Sequence, residues 1–355
     1  MAVPIELVEN LALFRALPRY HLAQAAEVAM SSFEVGEGET LLVEGETDDA
    51  LLIVIEGHLE VIKGKPGVRV AEVGEGELLG DMALFGETGR RTATVRTLEP
   101  CHLVLIEQTG LDILRVHGNR VVPILEGAAL RTLARRLRQM TELIGQLALG
   151  TEFERLDQPE GLFARLSGLF RAAPDPRPQG PAPLATEVLA RSPAFAEVSP
   201  AIRDQLAMGL EVLPVAAGEL LIREGEHGNA AYILAEGQID VYAATRSQAN
   251  ERVASLAPGA FFGLVSLVHG NVRSASCFAS RPSWVLKLSG QHYADVQVQG
   301  SPEGAALRRA VYRELCGALQ HSNQHAAMLI GALMSDPSIG PVERKAFQEL
   351  VRETV

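Results

Sequence analysis

A chain of 355 residues has room for two or three domains, and its 47% hydrophobic and 5% aromatic content means that aliphatic side chains must build the cores. The formal net charge of −12 argues against a protein that coats nucleic acid, because neutralising phosphates takes clustered lysine and arginine. The apolar runs are short and interrupted by charge, which argues against a membrane-spanning helix, and the start Met1-Ala2-Val3-Pro4-Ile5-Glu6-Leu7 lacks the basic and apolar regions of a secretory signal.

From the N-terminus, Pro18 to Ser31 reads as a helix with Leu22, Ala25, Ala26 and Val28-Ala29 on one side. A strand region follows, punctuated by Gly36, Gly38, Gly45, Gly57, Gly64, Gly67, Gly74, Gly76 and Gly80. Within it Leu51-Leu52-Ile53-Val54-Ile55 is a buried-looking run before a turn at Glu56-Gly57, and His58 to Lys63 alternates polar with apolar. That spacing predicts a small antiparallel barrel or jelly roll. From about Val121 to Leu149, Leu130, Leu133, Leu137, Met140, Ile144 and Leu147 recur at helical steps, with Arg131, Arg135, Arg136 and Arg138 on other faces. Those arginines read as a solvated face with ion-pair partners. Arg171 to Pro183 is rich in proline, the mark of a stiff, solvated linker.

Beyond the linker the design repeats. Gly38-Glu39-Thr40-Leu41-Leu42-Val43-Glu44-Gly45-Glu46 matches Gly218-Glu219-Leu220-Leu221-Ile222-Arg223-Glu224-Gly225-Glu226 at an offset of 180 residues. At that offset Ala50 falls on Ala230 and Glu56-Gly57 on Glu236-Gly237; after a small drift, Gly80 pairs with Gly263 and Arg91 with Arg273. A long-range match of glycines with apolar residues between them signals duplicated domains. The second copy also ends in a long helix, marked by Leu307, Val311, Leu315, Leu319, Ala326 and Leu329. The expected division is 1–150 for the first domain with its long helix, 151–185 for the linker, 186–335 for the second domain, and 336–355 for a helical tail with its pattern at Glu343 to Val351.

The chemistry concentrates in Leu79-Gly80-Asp81-Met82-Ala83-Leu84 and, a short loop later, Arg91-Thr92-Ala93-Thr94. A glycine lets the backbone come close, the turn after it offers N–H groups at the start of a short helix, and an arginine supplies a fixed positive charge; together these read an anion. A carboxylate placed before that turn would repel a phosphate and makes sense as an acceptor for a sugar hydroxyl. The second copy reads Phe262-Gly263-Leu264-Val265-Ser266-Leu267, then Arg273-Ser274-Ala275-Ser276: the arginine is kept and the acid is lost.

On these residues the chain resembles the cyclic nucleotide-binding domain family, which includes bacterial catabolite activator proteins, the regulatory subunit of cAMP-dependent protein kinase and cyclic-nucleotide-gated channels. The family's phosphate cassette reads F-G-E-x-A-L, then P-R-x-A-T/S. The resemblance covers roughly residues 10–150 and 190–335. It implies an α+β chain of two tandem domains, each an antiparallel β-barrel or jelly roll flanked by helices and with a long C-terminal helix. It further implies that Arg91 pairs with a cyclic phosphate and Asp81 accepts from the ribose 2′-hydroxyl, with Gly80, Met82, Ala83 and Thr92 completing the cradle. Asp81 departs from the family glutamate by one methylene. Ala134 to Ala148 is similar to the dimerisation helix of the activator proteins, where polar residues touch the base; Thr141 is the candidate here, with Ser322 or Asn323 at that level in the second copy. The site of Gly263, Leu264, Arg273 and Ser274 is expected to be degenerate, because a ribose hydroxyl facing leucine loses a hydrogen bond to a charge, roughly 10- to 100-fold in affinity.

The plain alternative for Arg91 with Asp81 is a salt bridge on a barrel rim; the spacing, the glycine and the duplicated context favour a ligand role. Residues 150–185 are too short and proline-rich for the DNA-binding module that follows this helix in the activator proteins. Cys101, Cys277 and Cys316 lie in no metal-ligand or disulfide spacing and read as buried thiols of a cytoplasmic protein. His321 and His325 are four apart without further ligands, and no catalytic triad or P-loop is present. The expectation is therefore a non-enzymatic cytoplasmic receptor for cAMP or cGMP, without cofactor, metal, nucleic-acid partner or membrane insertion. It would change conformation on binding and act on an unidentified protein partner, as a homodimer or an internal pseudo-dimer. The rival expectation is a scaffold that kept the fold and lost the ligand.

Overall fold

The computed structural model describes residues 3–47, 50–64, 68–81, 90–148, 177–245, 250–270, 272–297, 301–335 and 340. Two compact units emerge. One holds the residues up to Thr132 together with the start of the last long helix as far as Cys316; the other holds Leu133 to Gln297 and that helix from Gly317 onward. Both long helices are thus divided between units, where the sequence reading gave each whole to one copy.

In the first unit, helices α1 (Ile5–Glu9) and α2 (Arg19–Val28) precede eight strands: β1 (Met30–Val35), β2 (Thr40–Leu42), β3 (Ala50–Glu56), β4 (Leu59–Lys63), β5 (Val68–Val73), β6 (Leu78–Leu79), β7 (Thr94–Thr97) and β8 (Cys101–Glu107). They form two antiparallel four-stranded sheets, β1-β8-β3-β6 and β2-β7-β4-β5. Leu52, Val54, Leu79 and Leu103 from one sheet meet Leu42, Leu59, Val73 and Val95 from the other in a single core. The opposite face of β3 and β8, with Leu51, Ile53, Val104 and Ile106, is covered by helices that include α3 (Gln108–Val116) and the start of α4 (Val121–Leu147). This is why Leu51 to Ile55 is continuously apolar: β3 is buried on both faces, so no alternation is imposed. The predicted helix over Pro18 to Ser31 ends early. Met30 already pairs with Ile106 of β8, and Ala29 accepts from the Glu107 N–H, so strand pairing takes over.

After α5 (Ala185–Arg191) and α6 (Pro200–Ala207), the second unit repeats the order with β9 (Glu211–Val215), β10 (Leu220–Ile222), β11 (Ala230–Glu236), β12 (Ile239–Ala244), β13 (Asn250–Leu256), β14 (Phe261–Phe262), β15 (Ser276–Ala279) and β16 (Ser283–Ser289). Its sheets, β14-β11-β16-β9 and β10-β15-β12-β13, match those of the first unit strand for strand. The loop bonds repeat too: Gly45 N–H donates to Arg91 O as Gly225 N–H does to Arg273 O, and Glu44 accepts from Gly64 as Glu224 does from Ala244. Short α7 (Leu264–Val268) follows β14, α8 (Gly290–Val296) follows β16, and α9 (Pro302–Ser335) comes last among the described elements. In this unit Ile144 of α4 and Ala326 of α9 pack with Ala243 and Val253 of the sheet. The fold is therefore α+β, two tandem domains each built on two antiparallel sheets. The helical pattern Glu343 to Val351, and most of the proline-rich linker, lie outside the described residues.

Candidate functional site

Gly80 sits at the end of β6 with φ +83°, a conformation that side chains with a Cβ rarely adopt. A Cβ there would lie 2.2 Å from Nη1 of Arg91 and 2.7 Å from the Ala50 carbonyl oxygen, so glycine is required by space as well as by angle. Arg91 comes from the loop before β7 and is 4% exposed. Its Nη2 donates to Ala50 O at 2.7 Å and its Nη1 to Gly80 O at 3.3 Å. The carbonyl of Ala50 belongs to the first residue of β3, so the guanidinium is pinned to the sheet. Asp81 follows Gly80 and is 2% exposed. Gly80, Asp81 and Arg91 thus all lie in the first unit, with Arg91 bonded to the Gly80 carbonyl and Thr92 half-buried next to it. Met82 and Ala83 lie outside the described residues.

Asp81 has a partner that the sequence reading did not find. The hydroxyl of Tyr312, on α9, donates to Oδ2 of Asp81 at 3.0 Å. Tyr312 is itself 2% exposed, and its phenol is held well above its ordinary range, chiefly by burial and then by the Asp81 charge. One helical turn earlier Arg308 makes a buried ion pair with Glu126 of α4, Nε to Oε2 at 2.6 Å. A signal for Tyr312 exists in the sequence: at an offset of 182 residues the apolar seams of α4 and α9 superimpose, and Tyr312 falls where α4 has Leu130. A hydroxyl in an aliphatic seam needs a hydrogen-bond partner.

The second site repeats the geometry with different chemistry. Gly263 has φ +74°, and Arg273 donates from Nη1 to Ala230 O at 2.7 Å and to Gly263 O at 3.1 Å. Nη1 also donates to the hydroxyl of Ser266 at 2.6 Å. Ser266 stands where the first copy has Ala83. Leu264, in the place of Asp81, is a buried apolar side chain at the start of α7. Burial lowers the affinity of Arg273 for its proton. Ser274, the counterpart of Thr92, is half-buried.

Thr141 falls in the second unit, while Gly80, Asp81 and Arg91 belong to the first. Its hydroxyl donates to the Leu137 carbonyl one turn back on α4 at 2.9 Å. Ser322 is buried on α9, also in the second unit. His325, one of the two histidines spaced four apart, faces Glu251 at 3.4 Å. All three cysteines are buried and unbridged. Among the described residues no helix is long and apolar enough to cross a membrane.

The family described as "Cyclic nucleotide-binding domain" matches the chain twice, over residues 33–115 and 212–298. A cyclic nucleotide-gated potassium channel of Mesorhizobium japonicum is 33% identical over 134 residues, which is 37% of this chain and 35% of the channel. The cAMP-dependent protein kinase regulatory subunit of Yarrowia lipolytica is 24% identical over 251 residues, 71% of this chain and 50% of that protein. This chain therefore spans half or less of the length of these curated relatives. Among solved structures, the regulatory domain of Toxoplasma gondii PKA crystallised with cAMP is 18% identical and covers 85% of this chain and 93% of its own, with a TM-score of 0.31. A cyclic nucleotide-binding domain from Methylobacillus flagellatus is 21% identical over 39% of this chain and 79% of its own, with a TM-score of 0.37.

Proposed function

The chain belongs to the cyclic nucleotide-binding domain family through two tandem copies, and from that premise we propose that the first copy is the receptor site for a 3′,5′-cyclic mononucleotide, cAMP or cGMP. The observation that supports this most directly is Arg91. Its guanidinium is buried, fixed by two main-chain carbonyls, and set against a glycine that only the bare backbone can occupy. Such an arrangement suits a cation that must meet an anion in a fixed orientation. In this reading Arg91 and the backbone around Gly80, with Met82, Ala83 and Thr92, take the phosphate, and Asp81 takes the ribose hydroxyl. Binding changes the conformation of the chain by as much as the ligand prefers one state over the other, and a protein partner reads the changed surface.

The test is calorimetric titration of the full chain with cAMP and with cGMP, beside Arg91→Ala. One equivalent per chain, with affinity lost at least about tenfold in the variant, is the expected result. Absence of binding by either nucleotide, or binding indifferent to Arg91, overturns the receptor reading.

A specific observation favours the rival reading for the second copy. Arg273 is already served by Ala230, Gly263 and Ser266, and Leu264 replaces the acid. That copy is proposed to be a structural domain that retains the fold without the nucleotide. Were the first copy to behave likewise, the chain would be a scaffold.

A further inference from the structure

We propose that Tyr312 is a built-in competitor for the sugar-reading carboxylate, so that a nucleotide bearing a free 2′-hydroxyl enters the first site by releasing the start of α9. The proposal rests on the reading of Asp81 given above and goes beyond it, because it assigns a role to a residue far outside the cassette.

At 2% exposure Asp81 is closed off from solvent, so an incoming hydroxyl reaches the carboxylate by taking the place of something already against it. Tyr312 is such a group, and it arrives from a helix 231 residues further along the chain. Gly80 comes just before Asp81, and Arg91 is held by main-chain carbonyls of the cassette and of β3, donating to Gly80 O and Ala50 O. Tyr312 and Arg308 are four apart on α9 and therefore share a face. They bond that face to Asp81 and to Glu126 of α4. Removing the phenol from Asp81 takes away one of these bonds.

The exchange is close to balanced, because one neutral hydroxyl donor replaces another on the same carboxylate. A ribose 2′-hydroxyl therefore adds little net affinity to the native protein, while its binding energy goes into freeing α9. Without the phenol oxygen, the same sugar hydroxyl gains a full hydrogen bond to a charged acceptor. By the usual worth of such a bond this is about tenfold or more in affinity. A 2′-deoxy nucleotide has no donor for Asp81 and leaves Tyr312 where it is.

The experiment measures the affinities of the full-length protein and of Tyr312→Phe for cAMP and 2′-deoxy-cAMP, or for the cGMP pair if cGMP is the ligand. It adds hydrogen exchange over Pro302 to Cys316. The expected native ratio of ribo to deoxy affinity is within about threefold, rising about tenfold in Tyr312→Phe, with the deoxy affinity unchanged between the two proteins. In the native protein the ribonucleotide is expected to speed exchange across Pro302 to Cys316, and the deoxynucleotide to leave it alone. An equal ratio in both proteins, or protection of this stretch by the ribonucleotide, overturns the proposal and leaves the receptor reading standing. If no nucleotide binds either protein, the receptor reading fails and takes this proposal with it.

Discussion

Substituting Gly80 by alanine should be far more damaging than the same change at Gly38, although both glycines have nearly the same backbone angle, φ +83° and +77°. At Gly38 an added Cβ meets nothing within 4 Å, so Gly38→Ala costs only the left-handed strain, roughly 1–2 kcal/mol. At Gly80 the methyl would lie 2.2 Å from the Arg91 guanidinium and 2.7 Å from the Ala50 carbonyl. The carbonyl is part of β3 and cannot give way without disturbing the sheet. The guanidinium can move only by surrendering its bond to Ala50 at 2.7 Å, and a hydrogen bond to a charged group is worth about 1.5–3 kcal/mol. Gly80→Ala should therefore lose about 2.5–5 kcal/mol in total, about 1.5–3 more than Gly38→Ala. Urea denaturation followed by far-ultraviolet circular dichroism gives the stability difference, and nucleotide titration gives the functional one. Gly38→Ala should retain binding, and Gly80→Ala should lose it as Arg91→Ala does. If the two variants lose similar stability and both bind, the Arg91 guanidinium is not fixed against Gly80 and Ala50.

Two further expectations concern the second unit. Ser266→Ala removes the 2.6 Å acceptor from Arg273 and should cost about 1.5–3 kcal/mol in denaturation; combined with Leu264→Asp it restores the acid and the alanine of the first cassette and should raise the calorimetric stoichiometry from one nucleotide to two, while a folded double variant that still binds one equivalent would show that more than these two residues disables the site. Burial also pushes the Cys277 thiol up to about 12 from an ordinary 9.0. The folded protein then stays protonated where the unfolded chain ionises, so this contribution is complete below pH 9 and lost as pH rises toward 12, at about 1.4 kcal/mol per pH unit. Cys277→Ala should be less stable at neutral pH and show a shallower alkaline decline in urea midpoints; parallel declines would refute the assignment.

What could be read from the sequence, and what could not, divides along range of interaction. The duplicated strands were legible because glycines at turns and apolar runs between them are local signals that survive in both copies. Gly80 and Arg91 were legible for a similar reason: eleven residues separate them, and the pair recurs as Gly263 and Arg273. The Tyr312 contact to Asp81 spans 231 residues, and no local pattern encodes it. Thr141 shows a different limit. Helical periodicity identifies the face of α4 on which it lies but not which barrel that face meets, and α4 passes from the first unit into the second at Leu133. The division of the two long helices was invisible for that reason. Ser266 was in plain view as the fifth residue of the second cassette, yet its meaning depended on the 2.6 Å approach of Arg273.

The two cassettes solve one electrostatic problem in opposite ways. A buried guanidinium, and still more a buried carboxylate, is costly unless hydrogen-bonded, and both copies keep the guanidinium on a strand carbonyl and a glycine carbonyl. The second copy has removed the carboxylate and given Arg273 a further acceptor from its own short helix, Ser266. These acceptors all belong to the second barrel and its short helix, and no donor from a long helix is needed to satisfy a carboxylate there. The first copy keeps its carboxylate and receives the donor from α9 instead. A partner supplied by the same loop stabilises that loop; a partner supplied by another helix makes the state of the loop and the docking of the helix depend on each other. By linkage, whatever competes for Asp81 must weaken the hold on α9, and whatever pulls on α9 must change the affinity of Asp81 for its competitor. Leucine in the place of Asp81 and serine in the place of Ala83 leave the second copy without that dependence, which is the physical ground for the proposed division between a receptor site in the first copy and a structural domain in the second.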